Sequence, residues 1–438
     1  MKKQIPLNIV ITVLLIAMTV TFSITMIIAM NIFERTVSST AEKAAMYDKI
    51  SEIDSVVRQN YYGEVPDTIN DRIAAGYISG IQDSYARYYT AEQYTQYLNR
   101  QSGRLLGIGV DIVKDAASGY GRIVRVYANS PAAEVAIEAG WYIVTINGQD
   151  VKTLSIEAIT NLLLGEVGTQ VEIGLINGTE QKTVTVVHKS YEASGVEYSS
   201  HGTVGYIRIT RVNSSTPAQF DYAVQQLLSN GAKSLVFDWR GIASTNFEEI
   251  ARMLDALCPA GTLISAQYKD GTSKVLYTSN QSQVEVPMVC IVNAGTSGAP
   301  EVFCQVLKDY GKTRIVGVAT AGRGSLQTFF RLSDGSAVEI TTARILTPVR
   351  GLLDASGVMP DYEATLTAAQ EAAFYEMKIE DDPQIYRAFE VANGLVQNVE
   401  IGGSSSSSRP SSSVPDSSIM DDSSRDDDAS SQDDSSAA

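Results

Sequence analysis

The pattern of apolar and polar positions changes character along this chain, and each change predicts an element. Behind Lys2 and Lys3, an apolar run extends from Ile5 to Phe33, interrupted by Pro6, Asn8, Asn31 and small polar residues, with no charge from Gln4 to Phe33. A helix of about 20 apolar residues spans a bilayer. The run is longer than a signal-peptide core and lacks a small-x-small cleavage site at its end. It predicts a transmembrane anchor over 5–33, with the lysine pair setting the N-terminus in the cytoplasm and the main body outside the cell membrane. Over 41–102 the period becomes helical: Ile50, Ile53, Val56 and Val57 recur at three- and four-residue steps, which predicts a helical segment with one buried face. Thr90 and Gln93 have the spacing of a capping box at the start of a further helix. Strand-like and helical patterns then alternate between 200 and 350, which predicts an α/β class. From 403 to 438 the chain is Ser- and Asp-rich with almost no apolar residues, so it cannot bury a core and predicts a disordered acidic tail.

Composition narrows the function classes. A chain of 438 residues with 44% apolar content has room for two or three domains with ordinary cores. The net charge of −16, partly carried by the tail, argues against nucleic acid as a partner. Cys258, Cys290 and Cys304 each sit in an apolar run and predict buried free thiols rather than a disulfide framework. His188 and His201 are the two histidines, and both predict surface or strand-edge positions. There is no H-E-x-x-H zinc motif, and Gly295-Thr296-Ser297-Gly298-Ala299 misses the last glycine of a nucleophile elbow. Gly311-Lys312-Thr313 ends like a phosphate loop, but Val306 stands where its first glycine is needed. No metal and no cofactor is expected.

The stretch from Asn293 to Gln327, NAGTSGAPEVFCQVLKDYGKTRIVGVATAGRGSLQ, resembles the catalytic core of the carboxy-terminal processing, or tail-specific, serine peptidases. Their nucleophile turn reads N-x-G-[ST]-A-S-A-S-E and their base loop T-x-G-K-G-x-x-Q. Asn293, Gly295 and Glu301 align so that Gly298 stands at the serine. Thr320, Gly322, Gly324 and Gln327 align so that Arg323 stands at the lysine, and the separation of the two positions matches the family's. Glycine carries no nucleophile. A serine-lysine dyad needs a lysine that gives up its proton, whereas arginine stays protonated in proteins. Ser297, one residue away, is a weak alternative nucleophile, because a shift of one position in a tight turn points the side chain elsewhere. The strand Ser234–Arg240 resembles the family's L-V-L-D-L-R, but Ser244 and Thr245 replace the two glycines that follow in N-x-P-G-G, where the resemblance implies an oxyanion hole. Losing one such donor typically slows a reaction by ~100- to 1000-fold.

The resemblance runs on both sides of this core. Asp83–Tyr94 is similar to D-P-[YH]-[ST]-x-Y-[LM]-T-P-E-[EQ]-[FY], Ser336–Ala343 to L-x-[IL]-T-[TI]-A, Gly357–Asp361 to G-[IV]-x-P-D, and Asp382–Gln384 to D-x-Q. Residues 103–190 resemble a PDZ domain. Leu106-Gly107-Ile108-Gly109 stands at the carboxylate-binding loop, and Ser130-Pro131-Ala132 and Gly140–Gly148 at two further PDZ patterns, with Trp141 in place of the usual aspartate. A helix from Ser155 to Leu164, stopped at Gly165, forms the other wall of the implied groove. Such a groove adds a peptide as an extra strand and holds its terminal carboxylate with backbone amides. The whole match covers residues 45 to 398 and implies an α/β, crotonase-like superhelical ββα core over 195–398 with an inserted PDZ β-domain. Two functions follow as expectations. One is a membrane-anchored, catalytically inactive homologue that binds protein or peptide C-termini. The other is an active serine endopeptidase of the same family.

Overall fold

The computed structural model describes residues 18, 20–22, 24–26, 30, 43–280, 283–353, 356–375 and 377–403. The chain divides into two compact units, one of residues 1–94 with 329–340 and one of residues 95–328 with 341–438.

In the first unit, residues 43–60 are helical and a second helix runs Ile69–Gly80. The strand Arg87–Tyr89 pairs antiparallel with residues 337–339. Tyrosines fasten this unit. The Tyr88 hydroxyl donates to Asp71 at 2.7 Å and the Tyr89 hydroxyl to Glu339 at 2.8 Å. The Tyr89 and Tyr94 rings lie 5.6 and 5.8 Å from Phe329. Thr90 and Gln93 exchange backbone-to-side-chain hydrogen bonds of 3.1 and 3.3 Å, the reciprocal geometry of a capping box. The apolar face of the first helix differs from expectation: Ile53, Val56 and Val57 are exposed. Periodicity identifies an amphipathic helix but not what covers it.

The second unit contains two six-stranded sheets. One has the order Val196–His201, Val204–Ile209, Ser234–Asp238, Met288–Val292, Thr313–Gly317 and Tyr362–Glu363; its first pair is antiparallel and the others parallel. The central strands are continuous apolar runs because both faces are covered. Leu235, Phe237, Cys290 and Val292 face a core shared with Phe220, Phe247 and Phe303. Their alternates Val236, Val289 and Ile291 pack against Ile385, Ala388 and Val391 of the helix Pro383–Gly403. The helix Thr216–Ser229 joins one parallel strand directly to its neighbour. This is a layered, doubly covered α/β sheet built from βαβ crossovers, so the expected crotonase-like superhelix of ββα repeats is corrected.

The other sheet is antiparallel: Val110–Lys114, Gly121–Val126, Tyr142–Ile146, Gln170–Asn177 and Glu180–Val187, with Gln149–Asp150 beside the third strand. Ile123, Ile143, Ile146, Ile173 and Leu175 fill its core together with Ile159 from the helix Ile156–Leu162. Ser155 caps that helix, accepting from the Ala158 amide at 3.1 Å. Val110–Lys114 ends the order and leaves one strand edge open.

The expected membrane topology is also corrected. Among the described residues no helix is long and apolar enough to cross a membrane. The helix Pro383–Gly403 has the length, but it carries Arg387 and Glu390 and packs one face on the sheet. Most of 5–33 lies outside the described residues. The anchor, the single-pass orientation with a cytoplasmic N-terminus, and the membrane as a partner are therefore not supported. The expected tail over 403–438 lies outside the described residues from 404 onward.

Candidate functional site

The strand Met288–Val292 delivers the chain into a turn that is fastened to the end of the neighbouring strand. The Asn293 side-chain oxygen accepts from the Gly295 amide at 3.0 Å and the Gly241 amide at 2.9 Å. The Thr296 hydroxyl donates to the Trp239 carbonyl at 3.0 Å. Gly298 then caps the helix Ala299–Asp309 with φ +75 and ψ −120, a conformation that favours glycine. A Cβ placed at Gly298 would lie 2.4 Å from the Ser244 carbonyl oxygen and 3.6 Å from Cδ of Arg323. Positions 298, 323 and 244 are thus brought together. The short strands Ala243–Ser244 and Ser297–Gly298 pair in parallel, and the Ser297 amide donates to the Ile242 carbonyl at 3.0 Å. Ser297 is half-buried beside that ladder. The Ser244 hydroxyl accepts from the Asn246 amide at 3.1 Å, and the Thr245 carbonyl accepts from the Phe247 amide at 3.0 Å.

Below the turn sits Glu301, fully buried. Its carboxylate accepts from the amides of Gly298 at 2.7 Å, Gly322 at 2.7 Å and Arg323 at 2.9 Å, and from the Thr320 hydroxyl. A carboxylate in the first turn of a helix complements the helix dipole, and this one also clamps the 320–323 loop against the turn. Gln327 is buried and donates to the hydroxyls of Ser325 at 2.7 Å and Thr341 at 3.1 Å.

The loop Leu106–Gly109 leaves a strand, Arg104–Gly107, that pairs with Lys189–Glu192. The Ile108 carbonyl accepts from Ala132 at 2.7 Å and the Gly109 carbonyl from Tyr127 at 3.1 Å. Both glycines have positive φ, +135 at Gly107 and +88 at Gly109, but their surroundings differ. A Cβ at Gly109 would sit 2.0 Å from that of Ser130, whereas at Gly107 the nearest atom, the Leu163 carbonyl oxygen, is 3.8 Å away. Gly109 is therefore needed for packing and Gly107 borders open space. That space is a cavity of about 380 Å³ enclosed by the loop, the open edge strand, the end of the helix at Leu163 and Leu164, and residues of the parallel-sheet core.

Residues 203–364 match the family model of peptidase family S41. Over that stretch the chain is similar to the S41 peptidases. It is 27% identical over 321 residues to a "Probable CtpA-like serine protease" of Staphylococcus aureus, a match covering 72% of this chain and 64% of the relative. A Staphylococcus epidermidis relative of the same description is 26% identical over 324 residues, covering 73% of this chain and 66% of its own. The chain thus spans 64% of the length of its S. aureus relatives. In fold it is similar to a Bacteroides fragilis structure assigned to the S41 proteases, with a TM-score of 0.51 at 17% identity, covering 78% of this chain and 97% of that one.

The cavity has a wall that sequence reasoning missed: Arg208, Arg240, Gly241, Ile242 and Tyr375 lie across from the loop. A charge inside the apolar strand Val204–Ile209 was the available signal. Arg240 is buried and fully engaged, donating to Asp238 at 2.9 and 2.6 Å, to Asp382 at 2.7 Å and to Gln384 at 2.9 Å. The Tyr206 hydroxyl donates to Asp238 at 2.8 Å. Burial by itself would push the Asp238 carboxyl up, but Arg240 overcomes this and holds it below the usual range. Burial, followed by the Asp238 charge, pushes the Tyr206 hydroxyl up.

A second cluster borders the edge strand. The Tyr127 hydroxyl donates to Asp111 at 2.7 Å and accepts from Arg211, and Asp111 lies 3.5 Å from Arg211 and 3.7 Å from Arg125.

His188 is buried, which corrects the surface expectation. Its Nε2 lies 3.1 Å from the Leu163 carbonyl and its Nδ1 2.9 Å from the Thr169 hydroxyl, so the ring braces the helix end that borders the cavity. Cys258, Cys290 and Cys304 are buried free thiols, and burial pushes Cys258 up to about 12. Among the described residues no group of three or more His, Cys, Asp or Glu side chains is placed to hold a metal ion.

Proposed function

We propose that this S41 homologue binds extended peptide or protein C-termini in the groove at Leu106–Gly109 and does not hydrolyse them. The observation that carries the inactive reading is the 2.4 Å approach of the Ser244 carbonyl to the place a Cβ would take at Gly298. That approach is tighter than any side chain tolerates, so the turn has no space for a serine at 298 unless the Ser244 segment moves. Arg323 stands opposite with a side chain that cannot accept a proton. Ser297 lies on the backbone ladder, one position off the turn's glycine. Residues 103–190 act in this reading as a PDZ domain, whose open strand Val110–Lys114 offers unpaired backbone groups to a peptide and whose Gly107 leaves the loop uncovered. The serine protease descriptions of the relatives would then apply here to shape and ligand but not to turnover.

The test is incubation of the full chain with an unstructured protein substrate, beside a serine-reactive fluorophosphonate probe. The expected result is no cleavage and no labelling. Cleavage that Ser297→Ala abolishes would overturn the inactive reading. Restoration by Gly298→Ser with Arg323→Lys is expected to yield little activity, because the Ser244 carbonyl still fills the space.

A further inference from the structure

We propose that Arg208, from the parallel-sheet core, fixes a carboxylate of the peptide bound in the groove, so that ligand recognition is shared between the antiparallel sheet and the core; this rests on the groove reading above. Three arginines and one aspartate line the cavity: Arg125, Arg208, Arg240 and Asp111. Three of the four are already matched. Arg240 is held by Asp238 and Asp382 at 2.6 and 2.7 Å. Arg125 lies 3.7 Å from Asp111 and 4.0 Å from Glu197, and Asp111 also takes Arg211.

Arg208 differs. It sits in the strand Val204–Ile209, where every neighbour is buried, and its own side chain is half-buried at the cavity wall. Its two register partners with carboxylates are Glu197 on one side and Asp238 on the other. Glu197 is directed to Arg125. Both Asp238 oxygens are taken, one by the Arg240 amide and Nε, the other by Arg240 Nη2 and the Tyr206 hydroxyl. Among the described residues Arg208 joins no ion pair within 4 Å; its guanidinium carbon lies 6.0 Å from the Phe374 ring, and its charge acts on Asp238 only at a distance, helping Arg240 to hold that carboxyl down. A half-buried guanidinium with no carboxylate bonded directly to it keeps its donors for a ligand, and a planar fork of donors suits a carboxylate. Arg208 thus lines the groove as the arginine whose donors no carboxylate of the chain takes directly.

A carboxylate can come from the peptide's C-terminus or from an aspartate near it, and the test separates the two. A fluorescent peptide with an apolar end is titrated against the full chain as the free acid, as the amide, and as an amide with aspartate at the penultimate position. The same titrations use Arg208→Gln and Arg208→Lys, with thermal melting as a check of folding. The unsubstituted chain should prefer at least one carboxylate form over the plain amide by about tenfold, the scale of one charge-assisted hydrogen bond. Arg208→Gln should bring the acid and amide affinities together, and Arg208→Lys should retain part of the difference. Preference for the free acid alone assigns the C-terminus as the source; preference for the aspartate amide assigns the side chain.

A preference that survives in Arg208→Gln overturns the proposal and leaves the loop amides as the carboxylate site. Equal loss for acid and amide also overturns it, because Arg208 would then be structural. If no peptide form binds the unsubstituted chain, the groove reading itself fails and the proposal with it.

Discussion

The turn at Gly298 and the loop at Gly107 are built alike and end differently. Each places a glycine with positive φ at the end of a short strand, and each faces a backbone carbonyl of another segment, that of Ser244 at 298 and that of Leu163 at 107. At Gly298 that segment has closed in, and its carbonyl lies 2.4 Å from where a Cβ would stand. At Gly107 the nearest atom is 3.8 Å away and the space beyond is a cavity. Two glycines of like conformation can therefore differ in the free volume beside them. The decisive difference is the position of a partner backbone, which no residue type at 298 or 107 specifies by itself.

The strongest way to break the comparison is to remove the framework behind both regions. Asp238→Ala should destabilise the chain by about 3–5 kcal/mol, because it strands Arg240 buried and without its main partner; chemical denaturation measures it. The same group sets an acid limit. Its folded pKa is depressed, so its contribution is complete above about pH 4, the range of an unfolded carboxylate, and is lost as pH falls through the lower folded value. Acid unfolding should begin at a higher pH in a variant that weakens Arg240, such as Arg240→Lys.

Gly298→Ala sharpens the comparison directly. It adds a Cβ against the Ser244 carbonyl at positive φ, and about 1–3 kcal/mol of stability should be lost. Gly107→Ala meets no close atom, so it should cost about 1 kcal/mol for its φ while weakening peptide binding several-fold by crowding the groove; melting and titration separate the two effects. Equal stability losses at 298 and 107 would contradict the packing contrast. The smallest effect belongs to Ser297→Ala, which should leave peptide binding unchanged and stability within about 0.5 kcal/mol.

Much of the framework was legible in the sequence. Continuous apolar runs such as Ser234–Asp238 and Met288–Val292 announce strands covered on both faces, and the cysteines in apolar runs are buried. Positions 298 and 323, singled out by motif, lie together, a Cβ at 298 falling 3.6 Å from Cδ of Arg323. The closing of Ala243–Ser244 onto Ser297–Gly298 was not legible, because it is a backbone pairing between segments some 50 residues apart in chain. The superhelical core was inherited from the resemblance and had no support in the βαβ pattern itself. His188 was misread because a lone histidine looks polar; its burial depends on carbonyls and a hydroxyl supplied by Leu163 and Thr169. The apolar stripe at Ile53 and Val56 was real, but a period records only that a face is apolar.

Glu301 has a consequence for motion. Its two oxygens hold amides from Gly298, Gly322 and Arg323, so none of these hydrogens reaches solvent while the carboxylate stays in place. Opening at one of them exposes a buried anion to the loss of its remaining donors. Solvent exchange of the three amides should then be governed by a single shared event, and their protection should rise and fall together although they lie on two separate segments of chain.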